Sequence, residues 1–390
     1  MEDRKNIGFF GCRNVGKSSL VNAITNQQMS VVSDVKGTTT DSVKKTMEIL
    51  PLGKVLIIDT PGFDDSGELG EKRVEVTKKI LRNCDIAVLV TEVGRKLNAV
   101  EEELISIFKA REIPYLIVKN KIDTIEPIKE NEDNSERFIY ISAIHKIGIE
   151  ELKNELGVIF KQNNKQRRLV GDLLKPQDIV VLVTPIDSAA PKDRLILPEQ
   201  LAIRDIIDSN GIVVVVRETE LEETLKSLRK KPALVITDSQ VFDIVNKIVP
   251  KDIYLTSFSI LMARYKGFLE TSVNGAETID KLKDGDRVLI SEGCTHHRQC
   301  DDIGTVKLPN LLKKYTGKNI EFSWTSGNDF SNEIEKYDLI IHCGGCMLNS
   351  NEMQYRINLA IEKNIPFTNY GIAIAYMNGI LERSLKIIKT

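Results

Sequence analysis

The chain has 390 residues, of which 42% are apolar and 28% charged, and its formal net charge is −2. This length is more than one hydrophobic core usually supports, and the near-neutral charge gives no global electrostatic reason to bind nucleic acid or an anionic membrane. Because no apolar run approaches the ~18 residues of a transmembrane span and residues 1–6 are too short and polar for a signal peptide, we expect a cytoplasmic protein.

The first block predicts a parallel α/β sheet. Apolar strands, "IGFFG", "KVLIID", "IAVLVT", "YLIVKN" and "FIYISA", alternate with helical stretches up to about Gln162. Such alternation is typical of parallel strands joined by right-handed crossovers. The polar, basic run "NNKQRR" then reads as a linker, so we place the first domain at residues 1–164.

A phosphate-binding loop follows the first strand. "GCRNVGKS" matches G-x-x-x-x-G-K-[ST] between a strand and a helix-forming run. Gly11 and Gly16 let backbone amides close around phosphate oxygens, and Lys17 supplies charge to the β and γ phosphates. Ser18 is placed to bind Mg²⁺.

Two further motifs fit the γ-phosphate end of this site. In "LIIDTPG", Asp59 would hold Mg²⁺ through water, and the Gly62 amide would sense the γ phosphate. In the polar loop "GTTTD", Thr39 is our first choice to reach both, and Thr38 our second. We therefore expect Lys17, Thr39 and Gly62 to carry catalysis.

The base is predicted to be guanine. In "NKID", Asp123 can accept two hydrogen bonds from the N1 and N2 donors of guanine, which adenine does not offer. Asn120 would brace the loop and bond the base, while the stem of Lys121 covers the ring. The "SAI" motif, which contains Ser142 and Ala143, would place a backbone amide on guanine O6. In this order the motifs favour GTP over ATP.

This block resembles the small GTP-binding proteins, and more closely the branch with the tRNA-modifying and ferrous-iron-transport GTPases. Phe63 follows "DTPG", where Ras-like proteins carry a water-orienting glutamine, so unaided hydrolysis should be slow. Asn14 matches an asparagine that helps those relatives bind an activating K⁺. The alternative for Asn14 is a loop residue that caps its own turn.

The second block, residues 165–268, repeats the strand and helix alternation. Strands "DIVVLVTP", "GIVVVVRE" and "PALVITD" are continuously apolar, as in sheets covered on both faces. The block has no phosphate loop, cysteine or histidine. The block therefore predicts an α/β fold but indicates no catalytic or binding site, and we expect a role in assembly.

The third block, residues 269–390, contains the strands "DRVLISE" and "YDLIIHC". Helices are expected near Leu308–Tyr315, Glu352–Lys363 and Ile372–Ile388. The predicted fold class is thus α/β, with a phosphate-loop GTPase domain on a mostly parallel sheet and two further α/β domains with parallel sheets.

Most cysteines and histidines lie in this third block. They are Cys294, Cys300, Cys343, Cys346, His296, His297 and His342. Ligands bind outside the carboxyl ends of parallel strands, and both cysteine groups follow such a strand. Gly344 and Gly345 permit a tight turn that aims two thiols at one point. A redox pair, structural zinc, an iron–sulfur cluster and buried free cysteines remain open from residue types alone.

The motifs C-x-H at Cys294 and H-C-x-x-C at residues 342–346, behind a GTPase head, resemble the HydF-type GTPases that mature FeFe hydrogenases. The resemblance implies a 4Fe-4S cluster on Cys294, Cys343 and Cys346. It also implies a scaffold for a diiron subcluster with CO, cyanide and dithiolate ligands. The implied partners are apo-hydrogenase and the radical-SAM maturases of the pathway, and the middle domain would mediate a homodimer or higher oligomer.

The fourth iron ligand stays open at this point. Imidazoles and Arg298 could instead donate hydrogen bonds to sulfide or cyanide. We expect Cys300 to be a non-ligand thiol, and Cys12 and Cys84 to be structural. The ligand candidates are His296, His342, Asp301, Asp302 and water. The competing function is a zinc-stabilised regulatory GTPase that acts on RNA or the ribosome.

Overall fold

The computed structural model falls into two compact units, residues 1–166 and 167–390. The residues it describes are 5–25, 43–50, 52–60, 80–124, 138–163, 168–186, 195–293, 302–327, 330 and 333–389.

The first unit is built on one six-stranded sheet in the order β2-β3-β1-β4-β5-β6. All neighbouring strands are parallel except β2 and β3. The elements are β1 Lys5–Phe10, α1 Lys17–Thr25, β2 Val43–Ile49, β3 Gly53–Asp59, β4 Ile86–Glu92, α2 Ala99–Ala110, β5 Tyr115–Asn120, β6 Phe138–Tyr140 and α3 Ile149–Asn163.

Alternate residues of these strands enter two separate cores. On β1 and β3, Phe9 and Ile57 belong to one apolar cluster, whereas Phe10 and Ile58 belong to the other. Side chains on a strand point alternately to opposite faces, so continuously apolar strands are what a sheet covered on both faces requires. The motifs predicted to bind the nucleotide lie at the carboxyl ends of β1, β3 and β5.

The second unit contains two four-stranded sheets, β10-β9-β7-β8 and β12-β11-β13-β14. Every strand pair in them is parallel. The strands are β7 Ile179–Val183, β8 Ile212–Val216, β9 Leu234–Thr237, β10 Tyr254–Ser257, β11 Arg287–Glu292, β12 Glu321–Ser326, β13 Leu339–His342 and β14 Phe367–Asn369. The helices are α4 Leu197–Asp208, α5 Leu221–Ser227, α6 Phe242–Ile248, α7 Phe258–Lys266, α8 Leu269–Ala276, α9 Leu308–Thr316, α10 Ser350–Glu362, α11 Tyr370–Met377 and α12 Leu381–Lys389.

The two sheets of this unit share a core. One apolar cluster contains Val181 and Val235 from the first sheet together with Leu289 and Ile340 from the second. On α12, Arg383 donates hydrogen bonds to backbone carbonyls at the end of α6, those of Asn246, Val249 and Pro250. The sequence-adjacent domains are therefore packed as one body.

The predicted α/β class and parallel sheets are confirmed, but three details of the sequence prediction were wrong. The expected helix Ile372–Ile388 is two helices, α11 and α12, because the chain turns at Gly379 with φ +67. Strands β2, β10, β12 and β14 were not predicted. Finally, β8 is not covered on both faces, since it lies at a sheet edge with Ile212 and Val215 48% and 44% exposed.

None of the helices in the described parts of the chain is long and apolar enough to cross a membrane.

Candidate functional site

The phosphate loop connects β1 to α1 and is closed by its own lysine. Lys17 is buried, and its Nζ donates to the carbonyls of Gly11 and Cys12 at 2.9 and 2.8 Å. Gly11 has φ +144, and a Cβ there would lie 2.2 Å from the carbonyl oxygen of Val90. A side chain at Gly11 would therefore collide with the backbone of β4, so the turn that opens the loop requires glycine.

The described residues fit Mg²⁺ at the end of β3. Ser18 Oγ donates to Asp59 Oδ2 at 2.9 Å, while Asp59 Oδ1 is buried without a hydrogen-bond partner among the described residues. Desolvation raises the pKa of Asp59, against the lowering effects of Ser18 and Lys17. A hydroxyl beside a carboxylate with an unsatisfied oxygen is a ligand set that Mg²⁺ prefers.

Asn120 ties the base-binding motifs to the phosphate loop. Its Nδ2 donates to the carbonyl of Val15 at 2.9 Å, and its Oδ1 accepts from the Ala143 amide at 3.1 Å. The side chain is 2% exposed, so both bonds are sheltered from water. Asn120 thus braces three loops. The Ala143 amide, part of the "SAI" motif predicted to bind guanine, donates to Asn120 in this structure.

Asp123 remains open to solvent at the guanine end. Its Oδ1 accepts from Ser142 Oγ, and this hydrogen bond holds the pKa of Asp123 below its usual value. Lys121 has φ +70, and its ammonium pairs with the Glu92 carboxylate. The exposed carboxylate is therefore ionised and positioned to accept hydrogen bonds from a base.

Asn14 is exposed at the tip of the phosphate loop with φ +64. Asparagine tolerates this left-handed conformation better than most residues. The geometry suits both a K⁺ ligand and a turn-capping residue. Thr38, Thr39, Gly62 and Phe63 lie outside the described residues.

The sequence prediction missed a contact between the phosphate loop and α2. Asn98, the N-cap of α2, donates from Nδ2 to Cys12 Sγ at 3.2 Å and accepts from the Glu101 amide. The Asn-x-x-Glu spacing of a capping box was the available signal. Cys12 and Cys84 are both buried, as a structural role requires.

The strands that precede the two cysteine motifs end next to each other. Strand β11 pairs in parallel with β13, with Ser291 opposite His342. Gly293, which precedes Cys294, donates its amide to Cys343 Sγ at 3.1 Å. The strands that lead into the two motifs therefore end side by side, while residues 294–296 lie outside the described residues and the convergence of the motifs stays a prediction.

The turn from Cys343 to Cys346 has the geometry that its glycines allow. Gly345 has φ +61 and its amide also approaches Cys343 Sγ, at 3.4 Å. Desolvation raises the pKa of Cys343 to about 11, although the hydrogen bonds from the Gly293 and Gly345 amides lower it. Desolvation also raises the pKa of Cys346, although the nearby charge of Lys266 lowers it. Backbone N–H groups directed at a sulfur are the environment in which cluster-bound thiolates are found. The two described cysteines therefore fit a metal cluster.

His342 is completely buried beneath this turn, and both its ring nitrogens are occupied. Nδ1 lies 2.7 Å from the Cys343 carbonyl and Nε2 lies 3.0 Å from Arg356 Nη1. Because a carbonyl only accepts and a guanidinium only donates, the imidazole is neutral with its proton on Nδ1. Desolvation and the Arg356 charge lower the pKa of His342 to about 3. In this structure both ring nitrogens therefore bond within the protein and His342 supports the cysteine turn, while its role as a fourth ligand or as a hydrogen-bond donor to the cluster stays a prediction.

Arg356 completes a buried polar cluster that the sequence prediction missed. Its Nε donates to Glu352 Oε1 at 2.8 Å and its Nη2 to the Gly327 carbonyl at 2.6 Å. Its guanidinium also lies over the Phe330 ring, 5.0 Å from the centroid. The i,i+4 spacing of Glu352 and Arg356 on α10 was a weak signal for the pair.

The remaining ligand candidates are only partly described. Asp302 is buried and its Oδ1 accepts from the Thr305 amide at 2.8 Å, which is a capping contact. His296, His297, Arg298, Cys300 and Asp301 lie outside the described residues. Within the described ranges, no group of three or more His, Cys, Asp or Glu side chains is arranged to hold a metal ion.

Three family models match the chain. Residues 6–121 match the 50S ribosome-binding GTPase model, residues 169–267 the hydrogen maturase F dimerization domain, and residues 270–387 the hydrogen maturase F tetramerization domain.

Individual curated relatives match less than half of the chain. The tRNA modification GTPase MnmE of Thermoanaerobacter sp. (strain X514) is 32% identical over 178 residues, which are 44% of this chain and 36% of that protein. GTPase Der of Campylobacter hominis is 35% identical over 158 residues, 38% of this chain and 33% of its own. The chain thus spans about a third of the length of these curated relatives.

Solved structures of low similarity include the G domain of the T. maritima FeoB iron transporter, at 21% identity and a TM-score of 0.31. It covers 40% of this chain and 98% of that chain. Aquifex aeolicus Era bound to GDP and AlF4− has 20% identity and a TM-score of 0.34, and covers 57% of this chain and 97% of its own.

Proposed function

Since this chain belongs to the hydrogen maturase F family, whose dimerization and tetramerization models together match residues 169–267 and 270–387, we propose that it is a GTPase and a 4Fe-4S protein. In this proposal it holds the diiron subcluster of FeFe hydrogenase, with its CO and cyanide ligands, and delivers it to the apo-hydrogenase. The radical-SAM maturases of the same pathway are its other proposed partners.

The observation that carries the cluster part is the 3.1 Å contact between the Gly293 amide and Cys343 Sγ. It brings the residue immediately before Cys294 against the turn that carries Cys343 and Cys346. Three thiolates would bind three irons and leave the fourth with a replaceable ligand, which a scaffold can use to hold its cargo. The protein's part is to direct amides at the sulfurs and to keep water from the turn.

The nucleotide part follows from the first unit. With GTP and Mg²⁺ bound, Lys17 would donate to phosphate oxygens instead of the two loop carbonyls, and Ser18 and Asp59 would hold Mg²⁺, Asp59 through water. Thr39 and Gly62 are proposed to contact the γ phosphate. Phe63 cannot orient water, so hydrolysis is proposed to be slow and to be stimulated by K⁺ bound near Asn14.

Self-association is proposed to use the exposed edge of the first sheet in the second unit. Strand β8 ends that sheet and presents Ile212 and Val215 to solvent. An exposed apolar edge strand with unpaired backbone groups is a template for pairing with another chain. This supports a homodimer, or a higher oligomer built from it.

Anaerobic reconstitution with iron and sulfide tests the cluster proposal. We expect broad visible absorption and a reduced-state EPR signal, both lost in Cys294→Ser, Cys343→Ser and Cys346→Ser. Cys300→Ser is the matched control and should keep both signals. A colourless protein with one zinc per chain would refute the proposal and leave the zinc-stabilised regulatory GTPase.

Delivery is tested separately, by mixing the loaded protein with apo-hydrogenase and measuring hydrogen evolution. We expect activity from the diiron-loaded protein and none from protein that carries only the 4Fe-4S cluster. Equal activity from both would remove the carrier role while leaving the cluster site intact.

A further inference from the structure

Lys266 is a buried cation that no part of the proposed function uses. It is the last residue of α7 and only 5% exposed. Its Nζ donates to the carbonyls of Gly345 and Leu348, which lie 79 and 82 residues further along the chain. Because burial of an ammonium is costly unless hydrogen bonds compensate it, these contacts are a specific feature of the fold.

A lysine at a helix C-terminus usually interacts with the last carbonyls of its own helix. Here Gly267 closes α7 with φ +81 and its own backbone hydrogen bonds. The hydrogen bonds that the structure describes for Lys266 Nζ go to the turn that carries Cys346 instead. Their acceptors are the two ends of one turn, since the Leu348 amide donates to the Gly345 carbonyl at 3.0 Å.

That turn carries Cys346 and contacts Gly293, the residue before the other cysteine motif. A Cβ on Gly293 would lie 2.7 Å from Leu348 Cγ, so the residue before Cys294 packs directly on the turn. Cys346 itself packs against an apolar cluster that includes Leu261 and Met262 of α7. A displacement of α7 would therefore act on the turn that carries Cys346 and, through it, on Gly293 before Cys294.

Lys266 also crosses the boundary between the two matched domains. It lies within residues 169–267, the dimerization-domain match, whereas its acceptors lie within residues 270–387, the tetramerization-domain match. Its ammonium donates to the carbonyl of Gly345, the residue immediately before Cys346, so its positive charge lies beside this cysteine. Fixed positive charge near a cluster stabilises the reduced form, which carries one more electron.

We propose that Lys266 is a positioning residue through which the dimerization domain fixes the turn from Cys343 to Leu348 and supplies positive charge beneath the cluster. This inference rests on the proposed 4Fe-4S site for its electrostatic part only. Its mechanical part concerns the turn itself and holds in the metal-free protein.

The test uses the full chain with Lys266→Met, the exposed Lys247→Met on α6 as a matched control, and Lys266→Arg to restore the charge. In metal-free protein, amide hydrogen exchange within residues 345–348 should accelerate about tenfold in Lys266→Met, equivalent to ~1.4 kcal/mol of local stability. Lys247→Met should exchange as wild type does. Unchanged exchange in Lys266→Met would overturn the mechanical part.

After anaerobic reconstitution, redox titration followed by EPR should give Lys266→Met a more negative midpoint potential than wild type. Lys266→Arg should return the potential towards the wild-type value. A potential and EPR signal identical to wild type in Lys266→Met would overturn the electrostatic part. If Lys266→Met does not fold, Lys266→Gln removes the charge with less loss of hydrogen bonding and is held to the same two outcomes.

A failure of the proposed function is visible in wild-type protein. If wild type takes up no cluster, the 4Fe-4S proposal fails, and hydrogen exchange in the metal-free protein still decides the mechanical role of Lys266.

Discussion

Removing Arg356 should destabilise the second unit far more than removing an arginine from a surface ion pair. Arg356 is fully buried and pairs with Glu352, which is 4% exposed. In Arg356→Met the carboxylate stays buried without its partner, and His342 Nε2 loses its donor. Breaking a buried pair in this way costs about 3–5 kcal/mol.

A second substitution separates the lost charge pair from lost packing. In Arg356→Met with Glu352→Met, no unpaired charge remains, so most of the loss should be recovered. The remaining deficit should be about 1–3 kcal/mol, because the Nε2 of His342 and the carbonyl of Gly327 still lack their donor. The difference between single and double variants measures the coupling directly.

Urea unfolding followed by tryptophan fluorescence is a suitable assay, because the single tryptophan, Trp324, lies on β12 of this unit. The single variant should lower the midpoint by about 1 M or more. Arg204→Met is the control, since its ion pair with Asp208 is exposed and should contribute less than about 1 kcal/mol. A double variant as unstable as Arg356→Met would refute the reasoning.

Three further predictions concern the first unit. GTP hydrolysis should be faster in K⁺ than in Na⁺, and Asn14→Ala should abolish that difference; equal rates in wild type would remove the K⁺ assignment. Asp59→Asn should weaken Mg²⁺-dependent GTP binding at least about tenfold while nucleotide binding in EDTA changes little, because the charge for the cation is lost; fluorescent-nucleotide titration measures both. Desolvation opposes ionisation of Glu101, but the hydrogen bonds from Arg95 and Asn98 outweigh it and hold the pKa of Glu101 below 4.5. The unfolded chain therefore binds more protons below pH 4.5, so the Glu101 contribution to stability is present above pH 4.5 and lost as pH falls through the folded pKa. Calorimetry from pH 7 to 3 should show a shallower acid-side decline in Glu101→Gln than in wild type, and equal declines would contradict the assignment.

Contiguous sequence patterns were sufficient to predict the parts of the fold that one short segment forms by itself. The phosphate loop is one contiguous motif, and strands such as β4 are apolar at almost every position, so both could be predicted. The adjacency of β11 and β13, the strands that precede the two cysteine motifs, could also be predicted, because parallel strands end at one edge of a sheet.

The missed features depend on which elements become neighbours. Strand β12, "EFSWTS", is polar and at a sheet edge, and β14 has three residues, so neither has a clear pattern. The exposure of Ile212 follows from the edge position of β8, which its apolar sequence does not reveal. The contact between the His342 ring and Arg356 could not be predicted either, because the two residues are 14 positions apart in the sequence.

The shared core of the second unit has a consequence for how this chain can be divided. The two matched domains are separated in sequence by residues 268 and 269 only, yet Val181 and Val235 pack in one cluster with Leu289 and Ile340. A truncation between the domains would expose that cluster on both fragments and favour aggregation. The junction between residues 166 and 167 is the better place to cut. The two domains should therefore fold and unfold as a single cooperative unit.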